Sequence, residues 1–427
     1  MHPINRLVPH NTLMRNVLTL VTGNVLAQLV SLLAAPLLTR LYTPEAFGTL
    51  ALFVTIVAVL APGVGGRYEV AMVVADARER RDFFFIALWL MALACLLFLS
   101  LLAVAFVPLS SWLKAGVLGN WLWLSPLALF ATGVIAALRS WANAVKDYRQ
   151  LSYAAVVQAV GVTLLAIGIG VAGTLDDGLL LANVIGLVLT CVYLIYVYRD
   201  LFREDDWHWD QRRWKLALRY KDYPLFNGST NILNGLMTSL PVFFLARYFP
   251  EAVVGYYALM VRVGVAPLSF IAAAVSDVNV KKIAEMLQTG HDPMPYLRRV
   301  TLSLLAVALL PTVLLISSAP QLFSWVFGET WRQAGVLLAI LMPALAVQFV
   351  VSPLSLSFVA AGHLRLQAAW QVISLLTTLI VFTWAVRTVD IERFFWAYMI
   401  KDVVMYGLYF AMLVFALRHP VRKVKDG

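Results

Sequence analysis

Long apolar runs, each roughly twenty residues and broken by short polar segments, dominate this chain and leave few folds open. They occur at 16–39, 46–66, 83–107, 121–139, 151–173, 178–198, 224–247, 252–276, 300–319, 333–361, 366–387 and 393–417. A helix of about 20 apolar residues crosses the hydrocarbon layer. The composition agrees, with 61% of residues hydrophobic and only 13% charged, against about 25% charged in soluble domains. The sequence therefore predicts an all-α polytopic membrane protein with about twelve transmembrane helices.

The first residues, MHPINRLVPHNTLMR, are polar with two prolines and show no small-residue cleavage site. The first apolar run is expected to be an uncleaved helix. Cys95 and Cys191 each lie inside an apolar run, which argues against a disulfide framework or a zinc site. No Walker motif is present, and the acidic pairs Asp176-Asp177 and Asp205-Asp206 lack metal-ligand spacing. No cofactor and no metal are expected.

The net charge of +10 is explained by placement rather than by nucleic-acid binding. Most of the 33 Lys and Arg residues fall on the side of the termini, among them Arg78, Arg80, Arg81, Arg212, Arg213, Arg298, Arg299 and Arg422. The positive-inside rule puts both termini in the cytoplasm. The longest polar segment, 199–222, interleaves Trp207, Trp209 and Trp214 with Arg212, Arg213 and Lys215. It reads either as an interfacial helix on anionic headgroups or as a solvated linker.

The halves echo each other. LLTRLYTPEAFGTLALF at 37–53 matches FLARYFPEAVVGYYALM at 244–260, with Pro36 and Pro241, Pro44 and Pro250, and Gly48 and Gly255 at offsets of about 205–207. This parallel repeat predicts an N-terminal six-helix lobe at 1–198, a cytoplasmic linker at 199–222, and a C-terminal six-helix lobe with a basic tail at 223–427, arranged around a central cavity.

Polar residues inside the apolar runs are the candidates for function. Asn227, Asn231, Asn234 and Thr238 share one helical face, and Asn24, Gln28 and Ser31 form a shorter stripe at the repeat-equivalent place. Such amides line a cavity or join helices within the bundle. Arg262 interrupts GYYALMVRVGVAPLSFIAAAVS. A guanidinium there costs roughly 2.5–3.5 kcal/mol on insertion scales, and it fits either a phosphate or an ion pair with Asp277 or Asp402. Lys401 and Asp402 interrupt the last run, either split between the cavity and a coupling proton or paired locally. Arg67 and Glu69 follow GVGG after the second run, as a gate, a headgroup contact or plain helix-end charges; Arg15 at the mouth of the first run is equally open. Arg139 and Lys146 have the same ambiguity after the fourth run.

LLTRLYTPEAFGTLALF with RYEVAMVV, GYYALMVRVGVAPLSFIAAAVSDV, and FGETWRQAGVLLAILMPALAVQFVVSPLSLSFVAAGHLRLQ resemble, in this order, blocks of the bacterial polysaccharide-biosynthesis flippases, the O-antigen (Wzx-type) translocases. These belong to the multidrug/oligosaccharidyl-lipid/polysaccharide (MOP) exporter superfamily. The resemblance implies two six-helix lobes around a cationic cavity. It also implies alternating-access transfer of undecaprenyl-pyrophosphate-linked oligosaccharide from the cytoplasmic to the periplasmic leaflet of the inner membrane, with H+ or Na+ coupling commonly proposed. It carries over to Arg67, Glu69 and Arg262; Asp277 stands where the family has a neutral polar residue, and with Asp402 it is a candidate for ion coupling. Expected partners are the lipid-linked oligosaccharide, membrane lipids and other polysaccharide-assembly proteins. Other readings are an exporter of peptidoglycan precursor, teichuronic-type polymer or drug, and a membrane glycosyltransferase or polymerase. Short outward loops speak against the last, and Arg262 with Lys401 inside spans speaks against a cation exporter.

Overall fold

Backbone groups in hydrocarbon find no water, so each apolar run closes its own hydrogen bonds as a helix. The computed structural model describes residues 10–112, 118–173, 177–202, 209–388 and 390–420, and among these every regular element is helical. The longer helices are α1 (His10–Leu41), α2 (Pro44–Val64), α3 (Tyr68–Val74), α4 (Arg80–Trp112), α5 (Ser125–Ala144), α6 (Tyr148–Ala172), α7 (Gly178–Val197), α8 (Gln211–Arg219), α9 (Ser229–Tyr248), α10 (Glu251–Met260), α11 (Ala266–Gln288), α12 (Met294–Phe327), α13 (Arg332–Val351), α14 (Leu364–Ala385) and α15 (Ile391–Arg418). Two compact units form, Met1–Arg247 and Tyr248–Gly427. The division falls one helix beyond the 199–222 segment, so α9 groups with the first unit.

Eleven helical stretches among the described residues are long and apolar enough to cross a membrane. They coincide with eleven of the runs in the sequence. The twelfth, α9, spans 20 residues, but its asparagines dilute its hydropathy. Some stretches outrun the apolar sequence: Glu251–Gln288 extends over 38 residues and Met294–Phe327 over 34. The helices simply continue past Lys281, Lys282, Arg298 and Arg299 into the polar boundary. Outward residues such as Val104 (85% exposed) and Trp325 (81% exposed) form the lipid-facing surface.

Close approach of backbones holds neighbouring helices together, as in other membrane bundles. In the first unit α1 packs on α6, where a Cβ on Gly23 would lie 2.4 Å from Ser152 Cβ. Tyr42 caps the same contact by donating to the Ala166 carbonyl at 2.7 Å. Turns are set locally. Thr43 Oγ1 accepts from Ala46 N at the start of α2, and Asp147 Oδ1 accepts from Gln150 N at the start of α6. In the second unit α12 packs on α13, where a Cβ on Gly335 would sit 2.4 Å from the Ala319 carbonyl oxygen and 2.7 Å from Pro320 Cα. Both obstacles are backbone and cannot move aside cheaply.

Gly335→Ala is therefore expected to lower thermal stability in detergent by about 1–3 kcal/mol through overpacking. Gly161→Ala, where nothing lies within 4 Å of the added carbon, is expected to raise it by about 0.5–1 kcal/mol.

Candidate functional site

The first unit gathers four of the sequence candidates at one point. After α2 ends, Gly66 and Arg67 both adopt left-handed backbone at φ 59°, and Arg67 leads into α3. Glycine takes this conformation freely, whereas an arginine needs its surroundings to hold it there. Its side chain supplies that hold: Arg67 Nε donates to Asn227 Oδ1 at 2.8 Å. Asn231 Nδ2 donates to the Asn227 carbonyl at 2.8 Å and to Asn227 Oδ1 at 3.0 Å. Arg67 Nη1 lies 3.7 Å from Glu69 Oε1, with the arginine side chain 23% exposed and the glutamate side chain 7% exposed.

Glu69 Oε2 is buried without a hydrogen-bond partner and packs against Gly65, where a Cβ would come within 2.7 Å of it. Burial pushes the Glu69 carboxyl above its ordinary value, more strongly than its own backbone hydrogen bond and Arg67 lower it. Asn227 itself lies in a widened π-turn, Tyr223–Gly228, that precedes α9. Asn234 and Thr238 continue the stripe exposed, Thr238 Oγ1 donating to the Asn234 carbonyl at 3.1 Å.

Other first-unit candidates stand apart. Asn24 is exposed, and Gln28 and Ser31 are half-buried on α1. Arg15 falls on α1, but its side chain lies outside the described residues. Arg139 Nη2 donates to Gln158 Oε1 at 3.0 Å, tying α5 to α6. Lys146 takes the left-handed conformation at the α5–α6 turn, φ 62°.

In the second unit, Arg262 sits in a π-turn, Val261–Val265, between α10 and α11, where it is half-buried. Single π-turns inside α-helices concentrate at functional sites. Asp277 lies on α11, and its side chain is outside the described residues. Lys401 and Asp402 form an ion pair with each other. Adjacent residues point about 100° apart around a helix, but the long lysine chain folds back across that angle. Lys401 Nζ also donates to Thr378 Oγ1 at 3.1 Å, and it lies 5.2 Å from the Tyr398 ring and 5.8 Å from the Phe382 ring. The ammonium is thus enclosed by a hydroxyl, a carboxylate and two aromatic faces. Among the described residues no group of three His, Cys, Asp or Glu side chains is placed to hold a metal.

Sequence reasoning missed the junction of Arg67 with Asn227, because 160 residues separate them. It also missed Asp82. That acid binds Arg212 at 3.0 Å and the buried Arg213 at 3.3 Å. The acids Asp76, Glu79 and Asp82, interspersed with arginines before and at the start of α4, were the available signal.

The described fold matches solved transporters. It superposes on MurJ, a lipid II flippase in an inward-closed conformation, with a TM-score of 0.73, 13% identity, and coverage of 95% of this chain and 87% of that one. An inward-facing multidrug-resistance MATE family transporter of the MOP superfamily gives a TM-score of 0.66, 18% identity and coverage of 93% and 95%. A MOP superfamily transporter from Pyrococcus furiosus, reported with reversed binding-pocket polarity, gives 0.63, 16% identity and 96% of each chain. The class is therefore a polytopic helical membrane protein with the fold of these solved structures. Residues 37–336 match the family model for polysaccharide biosynthesis proteins, and the chain belongs to that family. The resemblance carried by RYEVAMVV and the VRVGVAPLS block is borne out, both lying inside the matched region. No curated protein matches the chain.

Two outcomes are expected at these residues. Asp402→Asn leaves the buried Lys401 without its countercharge and lowers stability by about 3–5 kcal/mol, while the double variant Lys401→Met with Asp402→Leu recovers most of the loss. Unfolding in detergent measures both. Glu69, with its raised folded-state pKa, contributes stability that is fully present below its ordinary value of 4.5 and is lost as pH rises through the raised value. Melting temperature followed against pH is expected to show that decline, and Glu69→Gln to flatten it.

Proposed function

We propose that this protein is a flippase for undecaprenyl-pyrophosphate-linked oligosaccharide, the repeat unit of O-antigen or another surface polysaccharide. It moves that cargo from the cytoplasmic to the periplasmic leaflet of the bacterial inner membrane by alternating access, coupled to a proton or sodium gradient. Membership of the polysaccharide biosynthesis family supports the cargo class, and the fold, shared with a lipid II flippase among others, supports the mode of action. The excess of basic residues on the termini's side supports the orientation.

One observation carries the proposal: Arg262 occupies a π-turn within the membrane-crossing stretch Glu251–Gln288. A pyrophosphate crossing hydrocarbon faces a large desolvation cost, and a guanidinium offers it bidentate, charge-assisted hydrogen bonds. The prenyl tail stays in lipid throughout. Asn24, Gln28, Asn231 and Asn234 present groups that both donate to and accept from sugar hydroxyls. Asn227 and Arg67 are joined to each other, and in the same proposal they mark the headgroup's point of entry. Lys401 is given a structural part, because Asp402, Thr378 and two aromatic rings already surround it.

Arg262→Ala is expected to abolish surface polysaccharide at normal protein abundance, and Arg262→Lys to retain part of it. Mass spectrometry of lipids co-purifying with the native protein should find a prenyl-pyrophosphate oligosaccharide that the Ala variant loses. Wild-type polysaccharide in Arg262→Ala at native expression would overturn the role given to this residue, and bulk phospholipid alone in both proteins would favour an exporter of another cargo.

A further inference from the structure

The short helix α8 is fastened to the first unit on one face only. Arg213 is buried against Asp82 and lies 5.0 Å from the Phe85 ring. Arg212 reaches the same carboxylate at 3.0 Å, and Arg219 lies 3.5 Å from Glu79. Tyr68 donates its hydroxyl to the Ala217 carbonyl at 2.8 Å, and Tyr220 packs edge-on against Phe83 with centroids 4.9 Å apart. Leu216 is buried under this face. The segment is therefore a fixed part of the unit and not a loose tether.

Its other face is unlike a solvated surface. Trp214 is 54% exposed and Leu218 50% exposed, one helical turn apart, and Trp209 adds a further 40% exposed ring that contacts Trp214 edge to face at 6.3 Å. Lys215 and Lys221 are exposed as well, Lys215 at the border with the inward acids Glu79 and Asp82. Of the acids at the helix ends, Asp210 is engaged in capping, its Oδ1 accepting from Arg213 N at 2.9 Å, and Asp222 is exposed. Position in the chain keeps this face at the membrane boundary, because α7 ends at Val197 and α9 begins at Ser229. At nine residues α8 is too short to cross.

We infer that the outward face of α8 binds an anionic phospholipid surface, its indole rings and Leu218 seated at the acyl boundary and Lys215 and Lys221 on headgroup phosphates. Tryptophan settles at this depth because its ring is apolar and its N–H is polar. Cations near an anionic leaflet are attracted within about a Debye length. The inward ion pairs set the height of the face, since Arg212, Arg213 and Arg219 fix the helix to the entrance of α4. This site holds bulk lipid of the leaflet and does not depend on what the protein transports.

Full-length protein in nanodiscs of phosphatidylcholine with phosphatidylglycerol tests it. A nitroxide at position 214 (Trp214→Cys, with Cys95→Ala and Cys191→Ala) is expected to be more accessible to oxygen than to a water-soluble nickel chelate. Native mass spectrometry is expected to show preferential retention of phosphatidylglycerol over phosphatidylcholine, falling roughly fivefold for each of Lys215→Gln and Lys221→Gln. Neither lysine belongs to the ion pairs that fasten the helix, so fold and position are kept. A label fully open to the nickel chelate, or phosphatidylglycerol retention unchanged in the double lysine variant, overturns the inference.

Discussion

Hydrocarbon supplies no hydrogen-bond partner, and the rest of this structure follows from that one deprivation. Backbone groups close into helices, and hydroxyls inside the spans turn back onto their own helix: Thr132 donates to the Ala128 carbonyl at 2.7 Å, Thr190 to Gly186 at 2.8 Å, Thr312 to Ala308 at 2.7 Å. Charge meets the same demand at higher cost. Lys401 meets it within a single turn of α15 and a neighbouring hydroxyl on α14.

Three cationic centres therefore differ in kind. Around Lys401 each partner is provided from within the second unit, leaving little capacity for a visitor. At Arg67 the bonding is open-ended: the guanidinium is partly exposed, bonded to one amide and only loosely to one acid. An arginine held in left-handed backbone is also strained, so the site combines an accessible donor with a conformation that its contacts must maintain. Arg262 combines a membrane-embedded charge with a locally widened helix. The sites with spare bonding capacity or irregular backbone are those proposed to meet the cargo.

Much of this was legible in the residues. Apolar runs marked eleven crossing helices, and the i, i+4, i+7 spacing of Asn227, Asn231 and Asn234 marked a polar face. Helix ends were less legible, since α11 and α12 continue through lysines and arginines that the apolar pattern excludes. The two π-turns left no periodic trace, because one extra residue per turn does not change which residue types are apolar. Pairings over long separations were hidden for a different reason. Nothing in the Arg212-Arg213 dipeptide says which guanidinium turns inward until Asp82 is placed beneath it. The alternatives for Lys401 and Asp402 could not be separated by helical angle alone, as side-chain length decided the outcome.

The internal repeat has a consequence for where charge sits in each half. At an offset of about 206 residues, the counterpart of Arg262 in the first half is Ile56, and the counterpart of Arg67 in the second half is Ala273. Backbone landmarks such as Pro44 and Pro250 recur at the repeat offset, while the cations do not. Each half now carries a charge that its twin lacks. A protein assembled from two copies of the first half would keep the prolines and glycines of the fold and have no arginine in the place of Arg262.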